Sequence, residues 1–204
     1  MKLLAATRSA GKQQEIRRIL VPAGIEVVFP DDLGLFESPS EAALELAESF
    51  EGNARRKAEH FARLSGFPTV ADDSGLEVLS LGGAPGVRSR RWAGASGSVA
   101  EIDTANSAEL LRRLRGASEA RRRARYRCVL VLLETSDAVP RVFEGSCSGR
   151  ILEAPSGTAG FGYDPLFWSD ELGKTFGEAT AEEKDAASHR GRALRALAEA
   201  LRQR

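Results

Sequence analysis

The 204-residue chain carries 29 basic and 29 acidic side chains and a formal net charge of zero, so no long-range field recruits nucleic acid or an anionic membrane. Hydrophobic content of 42% and charged content of 28% are ordinary globular usage, enough for one good core that can split into two lobes. No apolar run approaches the roughly 20 residues that span a bilayer and the first is too short for a signal peptide, so a cytoplasmic protein is expected.

The segment 2–6 reads as a short buried strand. Thr7, Arg8, Ser9, Ala10, Gly11 and Lys12 follow, then a helix near 11–20 with Ile16, Ile19 and Leu20 on one face. Strand, small polar loop and helix start present backbone N–H groups to an anion. Ala6 and Gln13 exclude a Walker A loop, and a capped helix with an exposed lysine is the plainer reading. A strand is expected near 25–29, a loop at 30–40 and a helix over 41–65. Residues 26–51 hold eight acidic groups and no basic one. His60, in a polar helix, is expected to be exposed.

The run Thr69 to Glu77 follows, read as strands near 69–72 and 76–80 around Asp72, Asp73, Ser74 and Gly75. Adjacent carboxylates at a strand end hold a hard cation or take a proton from a metal-bound water, and Gly75 permits a sharp turn. The same four residues read equally well as a polar turn closing a hairpin. A loop is expected at 82–98, a helix near 99–115, and strands near 124–134 and 139–153. Residues 112–127 hold eight arginines and one glutamate. That density invites a nucleic-acid reading, but Tyr126 is its only aromatic, which favours a solvated helix end and loop. Cys128 and Cys147 lie in apolar segments and read as buried thiols, too few for a disulfide framework or a zinc site.

A long loop is expected at 154–180. Within it, Gly160, Phe161, Gly162, Tyr163, Asp164 and Pro165 form a shaped turn whose aromatics either stack on a planar ligand or pack on the core. The last helix, near 187–203, buries Leu194, Leu197, Ala198 and Leu201, with Ser188 as its N-cap. His189 and Arg190 then lie in its first turn, where the helix dipole disfavours cations. Helices alternate with strands before two long consecutive strands, so the fold is α/β with a mixed sheet.

Taken in order, several segments carry a resemblance: Thr7 to Lys12; Ser49 to Ala54 with Lys57; Ala71 to Leu76; Gly82 to Val87 with Ser89, Arg91 and Gly94; Gly160 to Pro165; Gly173 to Thr175; Glu182 to Lys184; and Ser188 to Gly191. Through them the chain resembles the noncanonical purine nucleoside triphosphate pyrophosphatases, which hydrolyse inosine and xanthosine triphosphates to the monophosphate and pyrophosphate. The resemblance implies one domain over 1–204, an elongated central sheet flanked by helices, two lobes around a substrate cleft, and a homodimer. It implies Mg²⁺ held by Asp73 and a glutamate on 41–48, best matched by Glu45, with Glu41 and Glu48 as alternatives. Asp73 would also accept the proton of water, with Asp72 as its partner.

By the same resemblance Thr7, Arg8, Ser9, Ala10, Gly11, Lys12, Lys57 and Lys184 line the phosphates. Ser74 contacts the substrate near the metal. Phe161, Gly162, Tyr163 and Asp164 cradle base and sugar, and His189 and Arg190 donate to the purine 6-oxo group. The chain departs from the family loop in having Ser9 where Asn is usual, and the region around Glu45 lacks the usual glycine. Three alternatives stand beside this reading. One is a septum-formation-type pyrophosphatase, against which Ser188 to Gly191 argue. The second is a nucleotide-binding regulator without turnover, and the third a nucleic-acid-binding module using the arginine run.

Overall fold

The computed structural model describes residues 2–203. Strand β1 (Lys2–Ala5) leads into α1 (Ala10–Leu20), and β2 (Glu26–Val28) is followed by α2 (Phe50–Ser65) and β3 (Thr69–Val78). Helix α3 (Val99–Arg113) precedes the long strands β4 (Arg123–Leu133) and β5 (Arg141–Ile151). Then come β6 (Phe167–Ser169), β7 (Lys174–Thr175), α4 (Ala181–Ala187) and α5 (His189–Arg202). The seven strands form one sheet in the order β2-β1-β3-β4-β5-β6-β7. Strand β1 pairs in parallel with β2 and β3, while β6 pairs antiparallel with β5 and β7. The fold is therefore α/β with a mixed sheet, as the element pattern predicts. Among the described residues no helix is long and apolar enough to cross a membrane.

The chain divides into two compact units, Met1–Asp73 with Cys128–Gly145 and Arg190–Arg204, and Ser74–Arg127 with Ser146–His189. In the first unit, alternation along the strands makes two cores. Leu3, Ala5, Val70, Cys128, Leu130 and Leu132 pack on Ile16 and Leu20 of α1 and on Ala193, Leu194 and Leu197 of α5. Their sequence neighbours Leu4, Ala6, Ala71, Val131 and Leu133 pack on Ala54, Ala58, Phe61 and Ala62 of α2. Successive strand residues face opposite ways, so each strand here feeds both cores. The second unit has one core, built by Leu76, Val78, Leu110, Tyr126, Ile151, Tyr163, Phe167 and Phe176 among others. Cys128 and Cys147 are buried, and burial pushes the Cys128 thiol up to about 12.

Three expectations are corrected. Asp72 to Gly75 form no turn; they lie inside the continuous strand β3. The helix expected over 41–65 is two pieces, a 3₁₀ turn Pro39–Glu45 and then α2. The break comes from Ser49, the N-cap of α2, whose hydroxyl accepts from the Gly52 amide at 3.1 Å. Gly52 is needed there, because a Cβ would lie 2.8 Å from Ala47 Cβ. The loop expected at 154–180 contains β6 and β7, and Thr180 caps α4 through a reciprocal box with Glu183. Ser188 does stand extended immediately before α5. His60 is half-buried, edge-on to Phe61.

The arginine run is also corrected at one position. Arg122 is buried, not solvated. It donates to the carbonyls of Leu114 at 2.9 Å, Leu152 at 3.1 Å and Ala117 at 3.2 Å, so it closes the C-terminal end of α3. Its neighbours serve carboxylates: Arg112 and Arg113 pair with Glu109, Arg123 with Asp170, and Arg125 and Arg127 with Glu77. Arg122→Gln should therefore cost about 1–3 kcal/mol, since it strands buried carbonyls. Exposed Arg121→Gln should stay within about 0.5 kcal/mol. Urea denaturation of the two variants measures the difference, and equal midpoints would refute the placement of Arg122.

Candidate functional site

The first unit gathers Lys12, Glu45, Lys57, Asp72, Asp73 and Arg190. Strand alternation puts Asp72 on the α1/α5 face with Val70 and Asp73 on the α2 face with Ala71. Asp72 Oδ2 meets Lys12 Nζ at 3.0 Å and the Arg190 guanidinium at 3.3 Å. Arg190 also pairs with Glu15 of α1. On the other face, Asn53 Nδ2 donates to Asp73 Oδ2 at 2.9 Å. Lys57 Nζ lies 3.5 Å from Asp73 Oδ1 and 2.9 Å from Glu45 Oε1. The two aspartates thus face different elements, Asp72 toward Lys12 and Arg190 and Asp73 toward Asn53 and Lys57.

Their acidities separate accordingly. Burial would raise the Asp72 pKa, but Lys12, Arg190 and Lys57 outweigh it and hold this carboxyl well below the usual range. For Asp73, burial wins over Lys57, Lys12 and the Asn53 hydrogen bond, and its pKa is raised. Burial would lower the Lys57 pKa, yet Asp73, Glu45 and Asp72 raise it, so this ammonium stays charged. Environments that push neighbouring carboxyls apart mark acid–base assignments. Asp72 is a fixed anion and Asp73 is the more basic group.

The N-terminus of α1 lies beside this cluster in sequence. Its cap residue Ser9 makes no side-chain cap bond, and the Ser9 amide donates to Thr7 Oγ1 at 3.2 Å. Ala10, Gly11 and Lys12 form the first turn, the part of a helix with unsatisfied N–H groups. Arg8 leaves this loop to pair with Glu41 and Asp31. Among the three candidate glutamates, Glu41 is therefore held by Arg8, Glu48 is exposed, and Glu45 shares Lys57 with Asp73.

The second unit holds another group. Lys184 is buried, 2.5 Å from Asp164 Oδ2, with its ammonium 4.6 Å from the Phe161 ring centre. Asp164 Oδ2 also accepts from the Phe161 amide at 2.8 Å. Gly160 has φ +78°, and a Cβ there would lie 2.1 Å from Asp164 Oδ2, so the turn requires glycine. The Gly162 amide donates to Asp103 at 2.8 Å. Tyr163 is core, with its hydroxyl on the Ser89 carbonyl at 2.9 Å; of the two aromatics, only Phe161 keeps part of its surface accessible. His189 is buried and stacked on Tyr126 with ring centres 4.6 Å apart. Ser74 is half-buried, on β3 after Asp73.

Sequence reasoning missed Glu15, Asn53 and Asp103 as site supports. Asn53 had a signal, because it lies in the quoted Ser49 to Ala54 segment. It is fully buried, and it accepts the Ala47 amide at 2.8 Å while donating to Asp73. Glu15 and Asp103 sit at ordinary helix positions and carry no local signal.

The sequence model of the Ham1 family matches residues 3–200. The chain belongs to the Ham1 family. The dITP/XTP pyrophosphatase of Yersinia pseudotuberculosis is 45% identical over 202 residues, covering 98% of each chain. That of Halorhodospira halophila is 46% identical, covering 98% of this chain and 97% of its own. Among solved structures, a HAM1 protein from Coxiella burnetii superposes with a TM-score of 0.86 at 33% identity over the full length of both chains. The Staphylococcus aureus Ham1 protein gives 0.82 at 34% identity, covering 100% of this chain and 99% of its own.

The family resemblance of the sequence implies a divalent metal. The donor set fits one. Glu45 and Asp73 already share a single cation, the Lys57 ammonium, so both carboxylates can face one charge. Among the described residues no group of three or more His, Cys, Asp or Glu side chains is assembled for a metal.

Proposed function

We propose that this chain hydrolyses noncanonical purine nucleoside triphosphates, those of inosine, deoxyinosine and xanthosine, to the monophosphate and pyrophosphate, and so cleanses the nucleotide pool. The carrying observation is the set of buried Lys57, Asp72, Asp73 and Arg190 with half-buried Lys12 and Glu45, a charge-neutralising constellation in a chain whose full-length relatives are dITP/XTP pyrophosphatases. Thr7, Ser9 and the first-turn amides of Ala10, Gly11 and Lys12 bind phosphate oxygens, as helix N-termini do. Lys12 and Lys57 add charge. Asp73, the more basic aspartate, accepts a proton from the attacking water; Asn53 fixes its orientation. Glu45 and Asp73 would hold Mg²⁺, which would supply charge neutralisation and lower the pKa of a water. A cytoplasmic homodimer is part of the same proposal.

Two roles differ from the sequence expectation. Lys184 is neutralised by Asp164 and lies on Phe161, so it belongs with the base-binding group rather than with the phosphates. Arg190 is engaged by Glu15 and Asp72, so it acts by holding Asp72. Recognition of the 6-oxo acceptor then falls to the His189 and Lys184 donors. Adenine presents an amino donor at that position, and each mismatched pair costs about 1–3 kcal/mol. Two together give inosine over adenosine triphosphate by roughly a hundredfold in specificity constant. Steady-state turnover of inosine, xanthosine and adenosine triphosphates, with direct detection of pyrophosphate, tests this. Comparable use of adenosine triphosphate, or orthophosphate as the first product, would overturn it.

A further inference from the structure

Arg8 stands inside the phosphate loop, yet its guanidinium reaches the segment between β2 and α2. Its Nε donates to Glu41 Oε2 at 2.9 Å and its Nη2 to Glu41 Oε1 at 2.7 Å, the parallel bonds a planar fork makes with a carboxylate. Nη2 also donates to the Leu35 carbonyl at 2.7 Å, and Nη1 pairs with Asp31. Glu41 Oε1 in turn accepts the Ser38 amide at 3.2 Å. The guanidinium lies over the Phe61 ring of α2, 5.8 Å from its centre. One side chain thus ties three points of the segment 31–41 to the start of α1.

The segment needs an anchor. Its 3₁₀ turn Pro39–Glu45 contains no buried residue, and 3₁₀ hydrogen bonds have poorer geometry than α-helical ones. Its apolar anchoring is limited to the partly buried Leu33, Leu35 and Leu44, which pack on the α2 core. Glu45 is the last residue of that turn, four positions after Glu41. A lysine at position 8 would keep the charge but lose the fork.

We propose that Arg8 is a positioning residue for Glu45: through Glu41 it clamps the segment 31–45 to the phosphate loop and so couples metal binding at Glu45 to triphosphate binding at Thr7–Lys12. The coupling rests on the assignments of Glu45 and of the loop made above. The test uses the full chain as parent, Arg8→Lys, Arg8→Ala and the double variant Arg8→Ala, Glu41→Ala. Residues 26–51 contain no lysine or arginine, so a glutamate-specific protease is used, with cuts mapped by mass spectrometry. Binding of Mn²⁺ alone is followed by electron paramagnetic resonance, and turnover of inosine triphosphate is measured over a Mg²⁺ series.

Both single variants should be cut at Glu37 and Glu41 at least about tenfold faster than the parent, with cuts elsewhere unchanged, as expected when one local unit opens. Mn²⁺ should be held about fivefold more weakly, and half-maximal velocity should need about fivefold more Mg²⁺, while KM at saturating Mg²⁺ stays within about twofold. The double variant should be no worse than Arg8→Ala, since the two residues act as one unit. A tenfold rise in KM with parent-like proteolysis and Mn²⁺ binding would make Arg8 a direct phosphate ligand and sink the proposal. So would an Arg8→Lys variant indistinguishable from the parent. A parent that binds no Mn²⁺ refutes the assignment of Glu45 and the clamp's purpose together. A parent that binds Mn²⁺ and shows the Arg8 effects, but hydrolyses no inosine triphosphate, upholds the clamp and refutes the proposed reaction.

Discussion

Asp73→Asn lowers turnover of inosine triphosphate by about two orders of magnitude or more, the scale on which a general base is lost, while the protein stays folded. The substitution preserves shape and can keep one hydrogen bond with Asn53, but it removes a proton acceptor and one of the two carboxylates around Lys57. Burial raises the Asp73 pKa, so in the parent the basic form disappears at a higher pH than for an exposed aspartate. The acid limb of the parent's rate profile should therefore fall as pH drops through that raised value. Single-turnover rates of parent and variant, with circular dichroism as the folding control, measure the effect. A folded variant retaining most of its turnover would remove Asp73 from the chemistry. The same series on Asp72→Asn should change the rate without moving the acid limb, because Asp72 is held ionised far below the working range.

Arg190→Met should destabilise the first unit by about 3–5 kcal/mol, the cost of breaking a buried ion pair from one side. Arg190 is 2% exposed, and the carboxylates it serves, Glu15 and Asp72, are 4% and 3% exposed. Methionine fills much of the volume but leaves both short of a cation. Against a total stability of about 5–15 kcal/mol, that is a loss visible in any urea unfolding curve. Adding Glu15→Gln to Arg190→Met should restore part of it, because the second change removes a charge left short of its cation. The pH dependence has a definite sign. The folded-state pKa of Asp72 is depressed, so its stabilisation is present in full above the ordinary carboxylate pKa of about 4 and is lost as pH falls toward the folded-state value. In Arg190→Met that depression shrinks, and so does the acid-dependent loss. A midpoint within about 0.5 kcal/mol of the parent, the range of an ordinary surface change, would mean that Glu15 and Asp72 do not depend on Arg190.

By itself, the sequence determined the features that local patterns encode. The faces of α1 and α5 follow from apolar spacing, and Ile16, Leu20, Leu194, Leu197 and Ala198 are buried as that spacing predicts. The alternation of helices with strands, then two long strands in succession, was enough for a mixed α/β sheet. The ordered short segments from Thr7 to Gly191 were enough for the family. Tertiary structure decided what lies between distant residues. Asp72 and Asp73 are neighbours in the chain, yet strand geometry turns one toward α1 and α5 and the other toward α2; nothing in Asp-Asp-Ser-Gly distinguishes a turn from the interior of a strand until neighbouring strands pair with it. Arg8, Arg122 and Arg190 look alike as solvated or ligand-reading cations, and each is instead engaged by carbonyls or carboxylates from elsewhere in the fold. Arg190 and Glu15 are 175 positions apart. A periodic pattern reports which face of an element is buried, because each element repeats its own geometry, but the partner of a buried charge is set by where distant elements meet, and no local spacing carries that information.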